Sequence, residues 1–506
     1  MANNLAKLRR VGTRGGQFKR TIHHNTNPQR STNLYKSVPG KLVKYDWVKI
    51  GQDIDGEAEG DFSGHSVSMN ASGTRVAIGA PKNDGNSDNP DDNRGNVKVY
   101  EYKRNKWIQI GQELTGGVGG PDDLFGTGDR FGESVSMNAE GNRIAIGSAL
   151  ADGADDNITS SGSVKVYEYK NNRWETLGQE LHGEAESDFL GFPVSMNASG
   201  TRLAISAIGN DLFKGCVKVY QLEDGNWTQL GIDIDGEVTF DQFGNSVSMN
   251  AAGTRVAVGA PGRDASKGLV KVYEYKRNKW IQMGQELTGD ADVNTFGDRF
   301  GKSVSMNAEG NRIAIGSHFA DGADDNINRS GSVQVYEYKN NRWETLGQEL
   351  HGEAQNDRSG ISVSMNAAGT RVAIGAILND GKGHARVYHL IDNVWTQLGT
   401  DIDGEAVGDQ SGNSVSMNAA GTRVAIGAPL NDGNTINPND NRGHVRVYHL
   451  IGNVWTKLGT DIDGEAVGDQ SGHSVSMNAA GTRVAIGANL NDDRGHVRIY
   501  EYRRVN

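Results

Sequence analysis

SVSMNASGTRVAIGAP, residues 66–81, is the stretch from which the architecture of this chain can be worked out. Its first five residues return at Ser134, Ser246, Ser303, Ser362, Ser414 and Ser474, and as PVSMN at Pro193. Eight copies about 57 residues apart mark a repeat array, not a string of unrelated domains. Val67 and Met69 fall on one side of a strand and Ser66, Ser68 and Asn70 on the other, because side chains alternate. A turn then leads into a second strand, in which Val76 and Ile78 oppose Ala77 and Gly79. Each sheet therefore has a bulky face and a shallow one. Radially arranged sheets bury both, the bulky face of one blade filling the shallow face of the next.

Each copy continues through a loop into a strand of the type GxVKVYEY and then a Trp-led strand of the type WxxLGxDI. The first Trp-led strand, at Trp47, precedes every SVSMN copy, and none follows the strand Val497–Tyr502. Eight Trp-led strands match eight repeats only if the Trp47 strand completes the last blade. The expected fold is all-β, an eight-bladed β-propeller of four-stranded blades over residues 46–506. It is closed by its N-terminal strand and preceded by a basic, low-complexity arm over residues 1–45. Residues 99–116 return at 272–289 and 169–185 at 338–354, so blades were duplicated in blocks.

Unit four carries Phe243-Gly244 before its SVSMN and Gly259-Ala260-Pro261 at the end of its second strand. Phe131-Gly132 and Phe300-Gly301 repeat the first half, and Gly79-Ala80-Pro81 and Gly427-Ala428-Pro429 the second. The pattern resembles FG-GAP repeats, the units of the integrin α-subunit propeller and of protist and large algal-virus repeat proteins. It extends over residues 46–502. The chain departs from that family in two respects. Integrin-type propellers have seven blades, and several of their hairpins hold calcium in a DxDxDG loop. Here the hairpins read NASGTR, as at Asn70–Arg75, and offer far fewer than the six to eight oxygens, roughly, that calcium takes. The family's hairpin calcium sites are therefore not expected.

The 69 Gly fit frequent tight turns between short strands. A single cysteine, Cys216, excludes an internal disulfide framework and is expected as a small buried hydrophobe. No run approaches the ~20 apolar residues of a membrane-spanning helix, and no classical secretory signal is evident. An intracellular or virion component is the expectation, with an organelle presequence as a second reading of the Arg-rich start.

The formal charge of −11 conceals an asymmetry, because residues 1–45 hold ten Lys or Arg and no acid. Lys7, Arg9, Arg10, Arg14, Lys19, Arg20 and Arg30 are expected to anchor the arm on an acidic protein surface; contact with nucleic-acid phosphates would be nonspecific. Family strand order puts the loops between second and third strands on one face, with the segments crossing from each outer strand to the next blade. That face gathers Asp84, Asp88, Asp91, Asp152, Asp155, Asp156, Asp324, Asp325, Asp432 and Asp440. They are turn formers on one reading and a rim for a basic protein partner or Ca2+ on another. The crossing segment DIDGEAEGD adds Asp53, Asp55, Glu57 and Asp61 as secondary metal candidates. Its order is not that of an EF-hand, and His182 and His351 stand where other repeats have Asp, which favours a strand-end turn. The opposite face, with YKRNKW at 102–107 and the arginines of the hairpins, is expected to be neutral to basic.

No nucleophile elbow, phosphate-cradling glycine loop or paired catalytic acids are evident, and the histidines at 384, 444 and 496 are spread round the ring. A non-enzymatic structural or interaction protein is expected. It would present an acidic loop face to protein partners and be anchored by its arm in an assembly such as a virion. A lectin-like module for glycans or a cell-surface ligand is the alternative.

Overall fold

Alternation of Val, Ile and Met with Ser, Ala and Gly gives each repeat strands with two distinct faces, and in the computed structural model these strands form eight separate sheets. Residues 36–38, 41–85, 93–117, 128–153, 158–289, 297–322, 327–433, 440–491 and 494–505 are described. Blade one runs outward from Ser66–Met69 through Arg75–Ala80 and Asn96–Lys103 to Lys106–Gln109, all antiparallel. The outer edge is split. Lys106–Gln109 pairs with the end of the third strand, and Leu114–Thr115 returns to pair with Val97 and Asn96 at its start. The DIDGE segment is the same device, with Ile54 opposite Val497 and Asp55 opposite His496.

Lys41–Lys49 pairs antiparallel with His496–Val505, Trp47 facing Tyr502, and Lys36–Val38 adds one strand outside it. Blade eight is thus completed by a strand that precedes blade one, as the Trp count requires. The pairing reaches back to residue 36, into the basic segment.

The hydrophobic cores lie between blades. Ala77 on the shallow face of blade one packs with Val97 and Val99 against Ile144, Ile146 and Trp174 of blade two. Met69, Val76, Ile78 and Trp107 on its bulky face pack against Ala485, Val497 and Ile499 of blade eight. Burial is close to complete on both sides, so each boundary is a miniature core.

Three hydrogen-bond circuits run round the inner strands and close on themselves. In the hairpins, Ala71 N–H donates to Ala139 O, Ala139 to Ala198, and so on through 251, 308, 367, 419 and 479 back to Ala71 O, at 3.0–3.1 Å. The hairpin arginine of each blade donates Nη1–H to a glycine carbonyl of the next, from Arg75 to Gly141 through Arg483 to Gly73. The central serine of each inner strand accepts the methionine N–H of the following blade, from Met137 to Ser68 Oγ round to Met69 to Ser476 Oγ, both at 3.1 Å. The serines are therefore connectors as well as a shallow face. Arg75 also pairs with Glu101 at 3.0 Å, and Arg143, Arg255, Arg312 and Arg483 likewise each meet a third-strand glutamate, so these hairpin arginines are neutralised inside the frame.

The second-strand glycine is required by close approach, as blade one illustrates. A Cβ on Gly79 would stand 2.1 Å from the carbonyl oxygen of Gly132 in the next blade, and Ser66 Oγ donates to that same oxygen at 2.7 Å. Gly79→Ala is expected to lower stability by about 1–3 kcal/mol in denaturant titration, through overpacking against backbone. Ser206→Ala, at the equivalent position of blade three, should be close to neutral. Deleting residues 36–49 should strip blade eight of its outer strand and lower the melting temperature. A circular permutant that carries 41–49 after residue 505 should restore it.

Candidate functional site

The loop face is built on buried carboxylates with structural duties. Asp61 Oδ2 accepts the N–H groups of Glu57 and Ala58, both at 2.8 Å, and so closes the crossing segment into a turn. Asp188, Asp357, Asp409 and Asp469 each do the same in their own blades. The remaining acids of these segments meet cations projected by the third strands. Buried Lys218 reaches Glu184 at 2.5 Å and Asp233 at 3.4 Å. Buried Arg446 holds Asp461 at 2.9 Å and also Glu405, and Arg498 holds Asp53 at 3.2 Å and also Glu465. Burial alone would raise the pKa of Asp461, but Arg446 and Lys457 outweigh it and keep the carboxyl below the ordinary carboxylate range. Among the described residues, acids of the crossing segments are thus met from within, because a crossing segment lies over a third-strand cation of the next blade, as Glu57 does over Lys98, Glu184 over Lys218, Glu405 over Arg446 and Glu465 over Arg498.

The secondary metal candidates follow suit. Asp53 is bound by Lys49 at 2.8 Å and by Arg498, Glu57 by Lys98 at 2.6 Å, and Asp55 stands in the strand pairing. Among the loop aspartates, Asp84 Oδ1 accepts Asn93 N–H at 2.8 Å, Asp152 Oδ1 accepts Ser160 N–H at 2.9 Å, and Asp432 Oδ1 accepts Asn441 N–H at 3.1 Å. Each closes its own loop, and Asp440 pairs with Arg442 at 2.7 Å. Asp88, Asp91, Asp155, Asp156, Asp324 and Asp325 lie outside the described residues, as do Lys7, Arg9, Arg10, Arg14, Lys19, Arg20 and Arg30.

Two groups bring metal-type donors within 4.8 Å of one another, Glu353 with His384 and Asp401, and Cys216 with Asp233 and Asp235. In the first, Arg386 already bridges Glu353 and Asp401, the latter at 2.9 Å, where a cation would sit. In the second, burial pushes the Cys216 thiol up to about 12, and Lys218 neutralises Asp233. Neither set suits a divalent ion.

Chemical variety is concentrated elsewhere on this face. The residue just before each inner strand changes from blade to blade, with His65, Glu133, Phe192, Lys302 and Ile361 among them. They form a collar round the axis: the His65 and His473 rings lie 5.5 Å apart, and Lys302 Nζ donates to Asn245 Oδ1 at 3.2 Å. Between blades three and four an aromatic ladder crosses the face, with Phe189, Phe213 and Phe240 at ring separations of 6.2 and 6.3 Å. Phe240 is 66% and Leu212 70% exposed. Asp211, Leu212 and Phe213 hold φ of 48, 58 and 60°, three successive left-handed residues with none of them glycine. Such a turn costs roughly 1–2 kcal/mol per residue. The same boundary breaks the frame's rule twice, because Pro193 replaces the connecting serine and Ser206 the closely approached glycine.

Composition drew attention to the acidic loops and away from the short loop NDLFKG at 210–215. A signal was present, since Leu212-Phe213 stands where the matching loop of blade six, NDGKG, has only Gly381.

No protein-family model and no curated protein matches the chain. Among solved structures, Sqt1 from Chaetomium thermophilum superposes with a TM-score of 0.56 at 15% identity, over 92% of this chain and all of that one. A putative 6-phosphogluconolactonase from Bacteroides uniformis gives 0.47 at 10% identity, over 78% of this chain and 98% of that one. The periplasmic gluconolactonase PpgL of Pseudomonas aeruginosa gives 0.45 at 14%, over 76% and 95%. The first likeness shows the propeller fold.

Burial, helped by neighbouring cations, presses His65 down to about 4 and His318 to about 3, and burial also lowers His384, His444 and His496. Their folded pKa values lie below the unfolded value near ~6.5, so their contribution is present above that pH and is lost as pH falls towards 4. The denaturation midpoint should therefore drop between pH 6.5 and 4, before Asp53, Asp401 and Asp461, held low by Arg partners, add their own loss. His318→Ala should shallow that slope; a midpoint flat down to pH 4 would contradict the assignment.

Proposed function

We propose that this propeller is a non-enzymatic interaction scaffold of FG-GAP type that docks a protein partner on its loop face, over the aromatic ladder between blades three and four. The carrying observation is the left-handed turn at Asp211–Phe213. It holds Leu212 and Phe213 outward beside Phe240 and Val238, where Leu212 is 70% and Phe240 66% exposed. A contiguous exposed apolar patch with aromatic members is the form a protein contact takes, and aromatic anchors dominate the energetics of such contacts. The FG-GAP assignment is supported by what its glycines do, since the second-strand glycine of one blade lies against the glycine before the inner strand of the next, as Gly79 does against Gly132. In this reading the basic arm tethers the scaffold within an assembly such as a virion, and the loop tips carrying Asp84, Asp152 and Asp432 form the rim of the docking face.

Phe213→Ser with Phe240→Ser should weaken capture of the partner from its native assembly at least ~30-fold, the effect of losing a hot spot of about 2 kcal/mol or more. Ile108→Ser with Ile281→Ser, on outer strands, should leave it unchanged. Cross-links mapping to the hairpin face, or a glycan-array signal with no retained protein, would refute the reading.

A further inference from the structure

Residues 128–189 reappear at 297–358 with nine exchanges. Four of them, Thr159 to Asn328, Lys165 to Gln334, Glu186 to Gln355 and Ser187 to Asn356, swap one polar residue for another. The other five replace Glu133 by Lys302, Ala149 by His318, Leu150 by Phe319, Ser160 by Arg329 and Phe189 by Arg358. Every one of these five introduces a basic or aromatic side chain, and the fold gathers them at one place on the loop face.

Phe319 is the hub of that place. The guanidinium carbons of Arg299, Arg329 and Arg358 lie 4.9, 5.4 and 5.4 Å from its ring centroid. Three like charges are thereby held within about a Debye length, ~10 Å at 0.1 M salt, of one another. His318 packs on the same ring at 4.2 Å. No carboxylate among the described residues forms an ion pair with Arg299, Lys302 or Arg358, whereas the third-strand cations of the frame are paired. Arg358 Nε is buried without a hydrogen-bond partner. Burial and the charges of Arg299, Lys302 and Arg358 hold His318 neutral, so it adds nothing to the repulsion.

Arg299 and Lys302 form one wall of a cavity of about 480 Å³ at the boundary of blades four and five. Val238 and Phe240 form an apolar wall. Two carboxylates also line it: Asp241 is bound by Arg263 at 2.8 Å, and Asp264 is exposed. Cations gathered round an aromatic hub, with no described carboxylate ion-paired to Arg299, Lys302 or Arg358, favour an anion beside them.

We propose that this cavity binds a phosphate or sulfate group carried on an apolar body, the oxyanion received by Arg299 and Lys302, with Arg358 adding its charge from beside the Phe319 ring, and the body lying against Phe240 and Val238. Guanidinium forks suit tetrahedral oxyanions, and a cavity of this volume accommodates a group larger than the anion alone. The proposal goes beyond protein docking on this face and stands without it.

The test uses the full chain with phenyl phosphate, phenyl sulfate, inorganic phosphate, inorganic sulfate and phenol in titration calorimetry. Phenyl phosphate or phenyl sulfate should bind saturably, at least tenfold more tightly than its inorganic counterpart and than phenol, and whichever binds identifies the oxyanion. Lys302→Glu with Arg358→Phe restores the residues of blade two, a pairing the fold already accommodates there, and should weaken binding at least tenfold with an unchanged melting temperature. Arg299→Gln is the second variant should the first unfold, with the same expected loss. Absence of saturable binding by both phenyl esters, equal affinity for phenol, equal affinity for the inorganic ion, or undiminished binding in the folded variants would each overturn the proposal.

Discussion

Everything in this molecule depends on how closely one blade can approach the next at the inner strands. At seven of the eight boundaries two glycine backbones meet where a side chain would collide, as at Gly79 and Gly132, and at that separation serine, arginine and alanine groups complete their circuits of hydrogen bonds. The circuits fix the number of blades. Alanine and arginine donors find their acceptors one blade further on and methionine donors one blade back, and each circuit closes between blades eight and one. Each step also buries a slab of Val, Ile and Trp between sheets. Polar closure at the axis and apolar packing outside it are therefore satisfied by the same spacing, a consistency across levels that lets one short sequence be used eight times.

The strand pattern, the blade count and the closing role of the Trp47 strand were legible because they rest on periodicity and stoichiometry. The duties of the polar residues were less so. Serines at 66 and 68 looked like a shallow face, yet they are donors and acceptors across the boundary, a role that depends on which backbone the fold brings opposite. The acids of the DIDGE segments looked like surface charge because their cations, such as Lys218 and Arg498, lie in other parts of the repeat and are buried. Alternation says that a third-strand lysine points to one side; it does not say that a crossing segment will lie over it. The aromatic ladder was missed for a different reason. Phe189, Phe213 and Phe240 belong to three separate loops, and their stacking arises only when the crossing segments of blades three and four are laid side by side.

The loop face consequently has two layers. The deeper layer is nearly identical in every blade and is spent on closing turns, with Asp61 and its counterparts as its working groups. The upper layer varies, and its variation is local: apolar and aromatic between blades three and four, cationic round Phe319, histidine-bearing where blades eight and one meet. A rigid frame with many equivalent positions lets each be altered without disturbing the rest, because stability is held by nearest-neighbour interfaces well below the surface.

The strand Lys41–Lys49 also bears on how the chain reaches this state. It is made long before its partner His496–Val505, and the largest sequence separation in the fold is the one that completes it. Until then it is an unpaired edge, the element through which incomplete propellers would exchange strands with one another. Lysines at 44 and 49 along it discourage that trade, since two such strands meeting edge to edge would bring like charges together. The strand that seals the ring thus also acts as its own guard during synthesis.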